Sequence, residues 1–181
     1  MVVLGLTMLI LITKYVEKES LMEINKIYNM DCLEGMKEIE DGSIDLVITD
    51  PPYKIITGGN SNGANSVRPK GMLSGNRNLF NDCPAFEQWV PHIYRVLKEG
   101  SHCYIMSNVG NLFNLQQCCL DAGFKLHNLL VWEKNNCTPS QYYMKNCEYT
   151  LFFRKGKAKY INNIGSSKTV HKFNNVLGKI S

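Results

Sequence analysis

Asp50, Pro51, Pro52 and Tyr53 stand together directly after an apolar run at 44–49, and no other stretch of the sequence gathers so much usable chemistry. A carboxylate accepts hydrogen bonds from an amine. Neither proline carries an N–H, which stiffens the turn and leaves a peptide carbonyl open to accept a second bond from the same amine. A tyrosine ring offers a flat face on which a planar base stacks. Such a set suits an amino group whose lone pair is delocalised into an aromatic ring. Two acceptors gripping its hydrogens favour a pyramidal nitrogen and free the lone pair to attack an electrophilic methyl, a case of transition-state stabilisation by preorganised acceptors. The plain alternative is a strand closing on an Asp-Pro turn beside a surface tyrosine. Chance would supply the tetrapeptide in on the order of one in a thousand chains of this size at average residue usage.

The elements around the tetrapeptide must hold it in place. Two prolines end a central strand because neither donates to the ladder, so 44–49 reads as a buried strand that stops at Asp50. In open α/β sheets ligands bind beyond the carboxyl ends of strands, which is where the four residues then lie. Ahead of them, 26–29 reads as a short strand closed by Asp31, and 33–40 as one or two helical turns stopped by Asp41-Gly42. Behind them, 55–81 holds five glycines among asparagines, with Arg68, Lys70 and Arg77 as its only charges, and reads as a long mobile loop. Loops of that length inside a domain are usually functional.

Phe86, Trp89, Val90, Ile93, Tyr94 and Leu97 recur at helical spacing before Gly100, with Pro91 marking a kink or a start. Residues 102–106 read as a strand, 112–122 as a helix capped by Gly123, and 126–132 and 148–154 as strands. The polar stretch 133–147 is too short for a crossover helix, so it reads as a loop between antiparallel strands. The earlier strands, separated by helices, should run parallel. The expected fold is an α/β layer of four to five strands, mostly parallel with one reversed.

Composition narrows the class. With 181 residues, 44% hydrophobic and 20% charged, the chain suits one domain and excludes collagen, coiled coil and disorder throughout. Seven cysteines form no CxxC pair and their number is odd, which points to reduced thiols in a cytoplasm rather than a zinc site or a secreted disulfide framework. The four histidines read as structural. The net charge of +4 is unevenly placed: 149–181 carries seven Lys/Arg and no acid. A polyanion partner and a solvated tail both account for that. Residues 1–13 are almost wholly apolar but too few for a membrane-spanning helix, which needs about 20. They lack the flanks of a signal peptide. Residues 1–21 therefore read as an extension ahead of the functional domain, added by an upstream start codon.

Val47-Ile48-Thr49-Asp50-Pro51-Pro52-Tyr53 resembles the catalytic signature of the amino-group DNA methyltransferases, which act on adenine N6 or cytosine N4. Residues 29–36 and 41–46 are similar to the segment that precedes this motif in the β-class arrangement. Residues 94–100 and 147–156 are similar to the following helix and last strand. The resemblance spans about 22–157, the catalytic part, leaving 158–181 as a basic tail that begins the target-recognition region.

The resemblance implies a partial Rossmann-like sheet, S-adenosyl-L-methionine as methyl donor, double-stranded DNA as partner and a restriction–modification setting. Asp50, Pro51, Pro52 and Tyr53 would hold the flipped base, with Asp50 also near the donor's methionine end. Asp31 would bond the donor's adenine; it serves equally well as a helix N-cap. Aspartate before Pro-Pro-Tyr is the usual form for adenine N6, with cytosine N4 as the alternative. A base must leave the stack to reach such a site. Arg68, Lys70, Arg77, Arg154 and Lys155 are the candidates for meeting DNA phosphates, with solvated loops as the alternative.

The β-class order continues with a Lys-Pro element and a Phe-x-Gly-x-Gly loop that cradles the donor's methionine part; this sequence contains neither. A glycine-rich turn lets backbone approach a ligand closely. The expectation is weak or absent donor binding by this polypeptide alone, and an apolar sheet edge left open. A second chain supplying the glycine-rich half, or a homodimer, would complete it. A non-catalytic DNA-binding remnant is the competing reading, and methylation of RNA or a protein amide a third.

Overall fold

The computed structural model describes residues 2–4, 8–10, 22–23, 25–52, 84–138, 142–157 and 159–174. The expected loop 55–81, with Arg68, Lys70 and Arg77, and also Tyr53, lie outside the described residues. Val2–Leu4 (β1) and Met8–Ile10 (β2) pair antiparallel, and β2 lies close to the strand Ile44–Thr49 (β3).

The main sheet has five strands. They are β3, Leu97–Ser107 (β4), Lys125–Thr138 (β5), Lys145–Arg154 (β6) and Val170–Lys172 (β7), in the spatial order β3-β4-β6-β5-β7. β3 and β4 are parallel, β6 runs antiparallel to both its neighbours, and β7 is parallel to β5. One strand in five is thus reversed, as the short 133–147 connection requires.

Three helices cover one face: Cys32–Lys37 (α1), Phe86–Val96 (α2) and Leu112–Asp121 (α3). The helices contribute Met36, Trp89, Val90, Ile93, Leu115 and Cys119; the sheet contributes Val47, Cys103, Ile105, Leu151 and Phe153. Each fully buried side chain of this size stabilises by roughly 1.5–3 kcal/mol relative to exposure. On the opposite face Phe152 stacks on Tyr104 at 4.5 Å between centroids, with His102 and His127 edge-on to it. The segment 159–162 lies beside His102 and Tyr104 on that side.

Local chemistry ties the elements to one another. Arg95, near the end of α2, donates to the carbonyls of Ile39 (2.9 Å) and Met36 (2.6 Å) and pairs with Asp41, while the Gly42 N–H returns a 3.0 Å bond to the Arg95 carbonyl. Gly42 has φ +60, which favours glycine at that turn. This clamp sets the angle at which β3 leaves α1.

Three sequence expectations give way. Residues 26–29 form no strand, because no described neighbour offers them a ladder. The helix at 86–97 ends at Val96 and passes straight into β4, with Gly100 (φ +81) inside a strand bulge rather than at a helix stop. The stretch 133–147 is mostly not loop. β5 continues to Thr138 and β6 begins at Lys145, making a long hairpin. Its polar residues misled because a solvated two-stranded arm needs no apolar alternation.

Candidate active site

β3 buries Ile44, Val47 and Thr49 and delivers Asp50 to the carboxyl edge of the sheet, where Pro51 is buried and Pro52 half-buried. The neighbouring rows follow from register. Thr49 pairs with Ile105, and the next row runs from Met106 through Thr150 to Leu130. Asp50 therefore faces the end of β4 with β6 beyond it. Solvent reaches its side chain, yet enough of the carboxyl is covered to raise its pKa by desolvation, and the negative charge of Glu148 raises it further. Glu148 sits on β6 and pairs across the hairpin with Lys134 on β5. The Lys134 ammonium lies 5.1 Å from the Trp132 ring centroid, and the Trp132 indole donates to the Phe173 carbonyl at 3.0 Å. Below Asp50, the hydroxyl of Thr49 is buried with no hydrogen-bond partner.

The corner is a carboxylate acceptor beside a proline turn, in the negative field of Glu148. Such a field disfavours a second anion and favours a cation or a hydrogen-bond donor in the space before Asp50. A sulfonium compound is a cation, so the residues present fit its charged end.

The structure separates the other predicted residues. Asp31 caps α1, with Oδ1 accepting from the N–H groups of Leu33 (2.8 Å) and Glu34 (3.2 Å). The tight connection between α1 and β3 reverses the chain, so the start of α1 and the end of β3 point toward the same end of the sheet. Arg154 and Lys155 lie at the opposite end, since β6 runs from Tyr149 at the Asp50 end to Arg154 beside His102. Lys155 donates to the carbonyls of Tyr94 and Leu97, each at 2.8 Å, and sits 4.5 Å over the Tyr94 ring. Arg154 donates to the Gly156 carbonyl at 2.9 Å. Sequence reasoning missed Glu148, Lys134 and Trp132 as neighbours of the corner. Their only signal was the Trp-x-Lys spacing on one strand, with an acid opening the next.

Comparison with known proteins gives the chain its relatives. A family model described as "DNA methylase" matches residues 44–176. The Type II methyltransferase M2.MboI of Moraxella bovis is 27% identical over 134 residues, 71% of this chain and 49% of that protein. The chain thus spans about half the length of the curated relatives it matches. The M1.HpyAVI–SAM complex shares the fold at TM-score 0.56 and 18% identity, over 82% of this chain and 66% of that one. The cytosine-N4-specific PvuII DNA methyltransferase shares it at 0.59 and 16%, over 84% and 58%.

Proposed function

The chain belongs to the N6 and N4 DNA methylase family, and on that premise we propose that it carries the base-holding half of a methyltransferase acting on the exocyclic amine of a flipped DNA base, adenine N6 in particular. The observation that carries this reading is Asp50 at the carboxyl edge of β3, held by a proline turn and partly desolvated. Its carboxylate accepts one amine hydrogen, the Pro51 carbonyl accepts the other, and the Tyr53 ring stacks on the base. S-adenosyl-L-methionine supplies an electrophilic methyl on a positively charged sulfur, with Asp50 and Asp31 as the residues of this chain that would hold it. The amine nitrogen would take the methyl group, with the electrons of the broken bond left on the donor, and Asp50 would accept the proton the nitrogen sheds and pass it to solvent. The acceptors act most strongly on the pyramidal nitrogen of the transition state, which is what lowers a barrier.

The aspartate before Pro-Pro-Tyr supports adenine; a cytosine-N4 enzyme among the structural relatives keeps N4 as the other outcome of the test. Asp31 and Asp50 would form one wall of the donor site; the 181 residues given contain no Phe-x-Gly-x-Gly turn. Among the described residues β3 is an edge strand of the main sheet with β2 lying close to it, and strands bearing a glycine-rich turn, on this polypeptide or a second one, would add beside it.

Incubating the chain with labelled methyl donor and unmethylated DNA, with and without such a polypeptide, tests the proposal. Label in N6-methyladenine supports it, label in N4-methylcytosine moves the target, and no label under either condition overturns it. In calorimetry the isolated chain should bind the donor weakly or not at all, and micromolar affinity would remove the need for a second chain.

A further inference from the structure

Asp50 does not stand alone at the end of its row. Thr49 pairs with Ile105, and both are buried under the helices. Side chains alternate along a strand, so the residues that follow them, Asp50 and Met106, stand on the opposite face. Met106 pairs with Thr150 of β6, and Thr150 with Leu130 of β5. Lower on that face Tyr104 and Phe152 close over each other in a 4.5 Å stack, whereas Met106 stays 39% exposed.

A single exposed methionine is ordinary. Its place is what gives it a use. Strands lie about 4.8 Å apart, so Met106 is about 5 Å from Asp50 and Thr150 about 10 Å, in one line across the sheet. Glu148 lies farther along β6 than Thr150, and its charge is felt at Asp50, as it is when the carboxylate faces along this line. The shelf thus runs from a carboxylate acceptor over an apolar thioether to a hydroxyl that both donates and accepts. A thioether packs favourably on aromatic rings and adapts to their outline. A planar ring whose amine is gripped by Asp50 would lie with one face on Met106. The two fused rings of a purine reach Thr150, and the single ring of a cytosine stops short of it.

We propose that Met106 is the platform beneath the target base and that the Thr150 hydroxyl meets the far edge of a purine, so that these two residues select adenine over cytosine. This rests on the methyltransferase reading for the base held at Asp50, but the shelf is a binding property of its own. The selection is modest in size, because a hydrogen bond made to the base replaces one made to water.

The test uses the full chain with isotope-labelled methionine methyls and three single-stranded probes: oligothymidylates with one central adenine, one central cytosine or neither. An unpaired probe removes the cost of flipping, and thymine has no exocyclic amine. The Met106 methyl resonance is the one that M106L deletes. The adenine probe should move it upfield, the ring-current mark of an aromatic face lying on it, with a smaller displacement for cytosine and none for thymine alone. Affinity for the adenine probe should exceed that for the cytosine probe on the order of fivefold. T150V should bring that ratio near one. M106A should weaken both complexes and M106L restore them, since leucine conserves apolar volume, while circular dichroism of every variant stays that of the wild type. A Met106 methyl unmoved by the adenine probe overturns the shelf. So do a shift of equal size with thymine alone, a shift that persists in D50A, and an adenine-to-cytosine ratio that T150V leaves unchanged. The labelled-methyl assay separates the two readings. Methylated DNA with an unmoved Met106 sinks the shelf alone, and a moved Met106 without methylation sinks only the enzymatic reading.

Discussion

At the carboxyl end of the sheet Asp50 is partly desolvated under the charge of Glu148. At the amino end Lys155 and Arg95 are engaged, Lys155 on the carbonyls of Tyr94 and Leu97 and Arg95 on those of Met36 and Ile39. A cavity of about 370 Å³ lined by Asp45, His102, Tyr104 and Tyr160 also lies at that end, away from Asp50. Both ends hold charged and aromatic groups. The difference is how much bonding capacity remains: a lysine over a helix terminus holds the fold, whereas a carboxylate at a strand end beside a rigid turn is available to a ligand. Empty volume is the poorer guide.

Substitutions at four positions break or sharpen that contrast. Asp50→Ala should cost the completed enzyme on the order of a hundredfold to a thousandfold in methyl transfer, the scale for losing one preorganised electrostatic group, with thermal unfolding little changed. Retained turnover in that variant would place the chemistry elsewhere. Lys155→Met should act the other way. It removes two bonds from a charged donor, destabilising by about 2 kcal/mol in denaturant unfolding while leaving duplex affinity nearly constant. Loss of DNA binding with unchanged stability would make the amino end functional after all.

Glu148→Gln removes a negative neighbour and should bring the Asp50 pKa down. Methyl transfer needs the ionised acceptor, so the wild-type rate falls as pH descends through a value above that of an ordinary aspartate. In the variant that acid limb should move to lower pH. Stability has the opposite sign: with its folded-state pKa raised, Asp50 favours folding fully at pH below the unfolded value, and that contribution is lost as pH rises through the raised one. A limb unmoved by the substitution would disconnect Glu148 from Asp50. The smallest effect concerns Asp31. Asp31→Ala should cost about 1 kcal/mol as a lost N-cap, and Asp31→Asn almost nothing. Weaker donor binding in the Asn variant, measured in the completed enzyme, would add the cofactor role to the cap.

The sequence alone determined the strand at 44–49, its stop at the prolines and the acceptor chemistry of Asp50, because these depend on neighbours in the chain. A proline without an N–H ends a ladder wherever it occurs. It also showed the antiparallel last pair, since so short a connection cannot cross over. Only the tertiary structure decided which charges are occupied. Arg154 and Lys155 look in sequence like a basic patch, but they lie at the far end from Asp50 and bond to carbonyls, some of them about sixty residues away in the chain. The charge of Glu148 on Asp50 was equally hidden. It arises between strands nearly a hundred positions apart, where pairing register, which no local pattern encodes, brings two carboxylates to one edge.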